Sequence, residues 1–341
     1  MIRKTCTALF ILVVLLSALG NPLAAQTCTG KFAIERVSFL AQGGTGSTCF
    51  WLAPSEIPGD YVVGCWVSNC TPPDWCPNCG KGGAAAGNPI NLTDGNTYIQ
   101  QRDVRIPGLG GGLVVEREWN SMWPTSVSGF QTGMFGPNWR STYEERVFMG
   151  SGVYSGYLLY LRGDGGFWVF SANGSTWNLA SPASSIATLT QNGTQTWTLA
   201  FQNGEQRIFS YTSGSLTSIK DRNGNTTSLS YDGSNRLVTV TDPASRTLTF
   251  TYGGPTGNLV TNVSSSVGIS LSYSYDSQGR LTQVTEPDLT TISFTYNTQS
   301  LITAVTDSQG KTLESHTYDT KNRGLTSSRA NGVDAVTITY Q

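Results

Sequence analysis

Residues 270–296 read SLSYSYDSQGRLTQVTEPDLTTISFTY, and this stretch decides the fold. Tyr273 and Tyr275 stand two residues apart with Ser on the alternate positions, so one strand face is aromatic and the other hydroxylated. Asp276-Ser-Gln-Gly279 follows as a turn, and Gly279 supplies the left-handed conformation that closes a type I turn with a bulge. Leu281 to Thr285 form the returning strand. Ile292, Phe294 and Tyr296 then start the pattern again, with Thr and Ser opposite. The unit is a two-stranded hairpin that ends its first strand on tyrosine.

The same tyrosine recurs along the C-terminal third. Tyr211, Tyr231, Tyr252, Tyr275, Tyr296, Tyr318 and Tyr340 are separated by 20, 21, 23, 21, 22 and 22 residues. Two positions earlier stand Phe209, Leu229, Phe250, Tyr273, Phe294, His316 and Ile338. A period of this length means stacked supersecondary units, and hence an array whose function belongs to its surface or enclosed space. One hairpin is marginal in water, so neighbours are expected to pair edge to edge. The aromatics Tyr211, Tyr231, Phe250, Tyr252, Tyr273, Tyr275, Phe294, Tyr296, Tyr318 and Tyr340 are expected to stack into a structural ladder. Each large side chain fully buried there contributes about 1.5–3 kcal/mol. Asp232, Asp276 and Asp319 follow a tyrosine directly and are expected to accept hydrogen bonds from turn amides. The last strand, Thr337-Ile338-Thr339-Tyr340, is uncharged, apolar on one face and uncapped, which points to a fragment of a longer array.

Composition agrees with an all-β chain. Gly numbers 39 of 341 residues and charged residues are 13%, with no long amphipathic helical pattern. The N terminus carries a targeting signature: Arg3 and Lys4, an apolar run from Ala8 to Leu19, a break at Asn21-Pro22, and small residues at Leu23-Ala24-Ala25. Cleavage after Ala25 and export are expected, to the extracellular space, cell surface or periplasm, with no membrane span left afterwards. Losing Arg3 and Lys4 leaves 19 basic against 22 acidic residues, a net charge of −3. That excludes the basic footprint of a nucleic-acid partner.

Six cysteines remain after cleavage, and all precede residue 80: Cys28, Cys49, Cys65, Cys70, Cys76 and Cys79. An even number in an exported, proline-rich segment reads as a disulfide framework that restricts the unfolded chain. A four-thiolate zinc site from Cys65, Cys70, Cys76 and Cys79 is a less favoured alternative, since its two arms are unequal and no long ribbon separates them. A redox Cys76-Pro-Asn-Cys79 lacks the βαβ context it needs. No metal and no cofactor are expected.

Lys81-Gly-Gly-Ala-Ala-Ala-Gly87 is a flexible linker. The expected organisation is a signal peptide over 1–25, a Cys-rich segment with linker over 26–86, a β domain over 87–153, bridging hairpins over 154–215 and repeats over 216–341. Within the bridge, Tyr157–Leu161, Phe167–Phe170, Thr196–Phe201 and Gln206–Tyr211 read as strands. Arg162-Gly163-Asp164 spells an adhesion tripeptide but sits where a hairpin loop belongs. His316 is the single histidine and falls on the aromatic face, with Glu314 one step before it. It reads as a degenerate repeat position, because no nucleophile or orienting partner lies near it in sequence. Glu144, Glu145, Asp164 and the turn aspartates form no spaced acid–base pair, and no hydrolase, phosphate-loop or zinc-helix motif occurs. No catalytic residue is expected, and the chain reads as a non-enzyme. The Asn-x-Ser/Thr sequons at Asn91, Asn173, Asn192, Asn225 and Asn262 are ordinary turn composition.

Three stretches carry a family resemblance: GNPINLTDGNTYIQQRDVRIPG (87–108), EREWNS (116–121) and FGPNWRSTYEERV (135–147). They resemble the N-terminal domain that precedes the repeats of Rhs-type bacterial proteins. The dipeptides Tyr231-Asp232, Tyr275-Asp276 and Tyr318-Asp319 resemble the YD repeats of the same family. The resemblance runs from about residue 87 to 341. It implies a β-hairpin domain leading into a β array that spirals into a hollow shell around a variable C-terminal toxin. Its plug motif and toxin are not recognisable here, so the implied partners are missing downstream repeats and a toxin. A second reading is a stand-alone secreted or surface strip that binds carbohydrate or protein through exposed Thr, Asn, Gln and aromatic side chains.

Overall fold

A computed structural model describes residues 37–41, 48–52, 60–63, 85–86, 89–92, 94–123, 125–181 and 186–340. The leader, most of the linker, and Cys28, Cys65, Cys70, Cys76 and Cys79 lie outside these residues, and Cys49 enters only through its backbone. The chain divides into two units, residues 1–71 with 337–341, and residues 72–336. In the first, Val37–Ala41 pairs antiparallel with Thr48–Leu52. Asp60–Val63 runs parallel to Thr337–Tyr340, with Asp60 opposite Thr337. The final edge, expected to be bare, is thus paired by the chain's own backbone.

The second unit is all-β among the described residues apart from short 3-10 turns such as Leu109–Gly111. Eighteen strands, from Arg146–Met149 to Gly324–Arg329, form a meander in which each strand lies beside its sequence neighbour. Such short strands joined by tight turns can only fold this way, because a crossover needs a much longer connection.

Register explains the repeat. Ser272 faces Thr285, Tyr273 faces Val284 and Ser274 faces Gln283, but Tyr275 faces Leu281, so Thr282 bulges out. The same shift falls immediately before Tyr231, Tyr252, Tyr296 and Tyr318. A bulge bends its strand and raises the local twist, and one per hairpin curves the whole sheet. Alternation then sorts the faces. Phe209, Leu229, Leu248, Phe250, Tyr273 and Phe294 are buried, while Ser228, Ser230, Thr249, Thr251, Ser272 and Ser274 are exposed.

The aromatic face is covered by the segment ahead of the array. Tyr98–Ile106 pairs with Leu113–Asn120, and Trp139–Ser141 adds a third strand to that hairpin. Its Ile99, Val104, Val115, Trp119, Phe135 and Trp139 share one hydrophobic core with Phe250, Tyr273 and Phe294 of the array. A smaller core of Val127, Leu159, Leu161, Phe167 and Val169 lies where the meander begins.

Candidate functional site

The tyrosine that ends each first strand is an anchor. Tyr231 Oη donates to the Leu216 carbonyl at 2.6 Å, Tyr252 to Leu237 at 2.9 Å, and Tyr275 to Val260 at 2.6 Å. Tyr296 donates to Leu281 at 2.7 Å and Tyr318 to Ile302 at 2.6 Å. Each acceptor lies at the start of the returning strand of the preceding hairpin. The ring therefore packs in the core while its hydroxyl satisfies a backbone group of the unit before it. Burial pushes all five hydroxyls above the ordinary tyrosine pKa, which keeps them as donors.

The residue after the tyrosine shapes the turn. Asp276 Oδ1 accepts from the Gln278 and Arg280 amides at 2.9 and 3.0 Å, and its Oδ2 accepts from Arg280 Nε at 2.6 Å. Asp232 does the same with Ser234 and Arg236, and Asp319 with Lys321 and Arg323. The fourth turn position takes a positive φ: 77° at Gly279, 58° at Asn235, 65° at Asn322. The Arg236 amide and guanidinium hold the Asp232 carboxyl below its ordinary pKa. For Asp276 burial works the other way, but the bonds from Arg280 outweigh it and the net shift is again downward.

Successive tyrosine rings do not touch, because a returning strand separates them by two strand spacings, roughly 9.5 Å. Against two of the rings lies an arginine. Arg236 sits 4.8 Å from the Tyr252 centroid and Arg280 sits 5.0 Å from that of Tyr296. Each arginine thus joins its own turn aspartate to the next tyrosine. Reading the tyrosines and aspartates alone misses these residues. Their signal was the fixed offset of five from Tyr231, Tyr275 and Tyr318 to Arg236, Arg280 and Arg323. Tyr211 is placed differently: it is 38% exposed and stacks on Trp197 at 5.7 Å. Tyr340 lies in the last strand, opposite Val63.

A buried ion pair fixes the covering hairpin to the array. Arg117 Nη2 donates to Asp103 Oδ1 at 2.8 Å, and Tyr273 Oη donates to Asp103 Oδ2 at 2.7 Å. Burial alone would lower the Arg117 pKa, but the Asp103 carboxylate overrides it and the guanidinium stays charged. Arg117 Nη1 has no hydrogen-bond acceptor. The guanidinium instead faces rings, 4.7 Å from Trp139 and 5.5 Å from Phe135 and Tyr273. Ring contacts extend the interface: Phe135 with Tyr273 at 4.8 Å, Trp139 with Phe294 at 5.2 Å, Trp119 with Tyr318 at 6.4 Å. Two glycines permit the close approach. A Cβ on Gly136 would come within 2.6 Å of the Gly279 carbonyl, and one on Gly324 would collide with Thr97 and Ile90.

The remaining singled-out residues are held by their surroundings. His316 is buried opposite Ser327, with Glu314 Oε2 3.4 Å from its Nε2. Glu144 accepts from the Met134 amide and Ser141 Oγ, and Glu145 accepts from Tyr160 and Arg207. Asp164 pairs with Arg162 and caps the turn by accepting from the Gly166 amide at 2.9 Å. Among the described residues, no group of three or more His, Cys, Asp or Glu could hold a metal ion, and no helix is long and apolar enough to cross a membrane.

Geometry therefore defines a class: a meander of tyrosine-anchored hairpins whose aromatic face is covered by the domain before it. The comparisons give the family. Residues 211–247, 231–268, 255–291 and 275–312 match the RHS Repeat model. Residues 87–170 match a domain of unknown function, DUF6531. The chain thus carries RHS (YD) repeats over residues 211–312 with a DUF6531 domain ahead of them. None of the curated proteins matches it. Among solved structures it is similar to TcdB2-TccC3 at 14% identity, covering 68% of this chain and 12% of that one, with a TM-score of 0.28. A Photorhabdus luminescens Tc holotoxin pore with a mutant TccC3 gives 11% identity, 68% and 17% coverage and a TM-score of 0.25. The chain thus spans 12% to 17% of the length of these two structures.

Proposed function

We propose that the protein is a non-catalytic wall segment of an exported Rhs-type shell. The RHS repeats make it a structural scaffold, and the finer role rests on one observation. The DUF6531 hairpin inserts Arg117, Trp119 and Trp139 into the aromatic face of the array, sealing the face that a hollow shell turns inward. On this reading residues 1–25 direct export and 26–86 form a disulfide-linked segment. Residues 87–153 close one end, 154–215 lead in, and 216–341 begin the wall. Downstream repeats and an enclosed C-terminal toxin are the partners. The test is to read the coding frame at the locus beyond Gln341. Continuation into further YD repeats and a variable tail supports the shell; a stop codon there counts against it.

The exposed hydroxyl face, with Ser228, Thr249, Thr251, Ser272 and Ser274, favours the second reading of a carbohydrate-binding surface strip. A glycan array with the secreted chain tests it, and a blank array removes it.

A further inference from the structure

A cavity of about 500 Å3 lies between the DUF6531 domain and the first YD turns. Its walls include Arg140, Arg146, Tyr231, Asn235, Tyr252 and Asn258. Charge in it is unevenly matched. Glu145 is engaged by Arg207, Glu144 by Arg140, and Arg236 by Asp232. Arg146 has no carboxylate within ion-pair distance among the described residues. Its guanidinium donates to Ser215 Oγ at 2.7 Å and lies 5.5 Å from the Phe130 ring centroid, which fixes its position without neutralising it. Arg140 is buried in the same wall, and its Nε has no acceptor. Burial, and then the neighbouring Arg140 charge, lower the Arg146 pKa. Glu144, already paired with Arg140, offsets the Arg146 charge only from beyond ion-pair distance, so this partly buried cation still gains from an anion in direct contact.

We propose that this cavity binds a small hydroxylated carboxylate, a sugar acid, with its carboxylate on Arg146. One guanidinium without an ion-pair partner matches one negative charge, and its planar fork suits a carboxylate. A doubly charged phosphate would meet Glu144 and Glu145 in the same walls. The polar groups of Asn235, Thr256 and Asn258 in the same walls suit a hydroxylated ring. The site lies at the margin of the interface between domain and array and apart from the hydroxyl face, and its binding of a small anion can be measured whichever reading of the whole chain holds.

Isothermal titration of the full secreted chain with glucuronate, and with neutral glucose, tests the proposal. Glucuronate is expected to bind and to raise the Tm, and glucose to bind at least tenfold more weakly. Arg146→Gln is expected to weaken glucuronate at least tenfold. Because Arg146 also contacts Phe130 and Ser215, a second variant guards against misfolding. Asn258→Asp adds a negative charge at an exposed rim position and is expected to weaken glucuronate several-fold at unchanged Tm of the free protein. Absence of glucuronate binding at millimolar concentration, equal binding of glucose, or indifference to both substitutions overturns the proposal.

Discussion

Replacing Tyr275 by Phe removes one oxygen and leaves the Val260 carbonyl without that donor. A buried polar group stripped of its partner costs about 1–3 kcal/mol, and urea unfolding should show a loss of that size. Tyr211→Phe is the contrast, because its ring stacks on Trp197 and its edge meets solvent. It should stay within about 0.5 kcal/mol of wild type. Arg117→Met makes a sharper case. It strands Asp103 beside Tyr273 with no cation, and losing one partner of a buried pair costs roughly 3–5 kcal/mol. Adding Asp103→Asn should recover part of the loss in the same titration. A double variant no more stable than the single would mean that Asp103 does not depend on Arg117.

At the scale of the hairpin, turn chemistry sets the response to acid. The Asp232, Asp276 and Asp319 carboxyls sit below their ordinary value of 3.8 in the folded chain. The unfolded chain therefore takes up protons first, and the stabilisation is complete above that value. It is lost as pH falls from about 4 through the lower folded values. Melting curves between pH 6 and 2.5 should show it, with a shallower acid slope in Asp276→Asn. Leu289 supplies another handle, since it holds φ at 68° while 81% exposed. Glycine there removes a left-handed penalty of about 1–2 kcal/mol and adds chain entropy of a similar but smaller size, so Leu289→Gly should raise the Tm slightly.

How far this was legible in sequence depends on the element. Alternation before Tyr275 and Gly279 after it exposed the hairpin, since a period of two and a left-handed glycine have few other meanings. The spacing of the tyrosines alone suggests ring on ring, but the returning strand Leu281–Thr285 lies between Tyr275 and Tyr296, a separation that only the strand pairing reveals. Within one repeat Arg280 has no local signature, because a lone charged residue after a turn looks like solvated surface, whereas its place over Tyr296 needs the neighbouring hairpin. Contacts such as Tyr273 with Asp103, 170 residues apart, have no local pattern to betray them.

Across the second unit, covering domain and array share one core, so they should unfold together. With the remaining tryptophans replaced by phenylalanine, Trp119 and Trp139 report the domain by fluorescence, and far-UV dichroism reports the sheet. The two denaturation curves are expected to coincide, and separated midpoints would show that the domain detaches first. Trp139→Ala removes contacts to Phe294 and Arg117 at once and should cost about 3–5 kcal/mol in both signals.

The tyrosine hydroxyls also give the array a direction in time. Every acceptor lies upstream of its donor, by 15 residues in four hairpins and 16 in the fifth. The domain that covers the aromatic face is upstream as well. A chain leaving the ribosome amino end first always presents each new tyrosine to a carbonyl already laid down, and each new hairpin to a surface already waiting. Folding can then advance like a ratchet, one tooth per tyrosine, at the pace of synthesis.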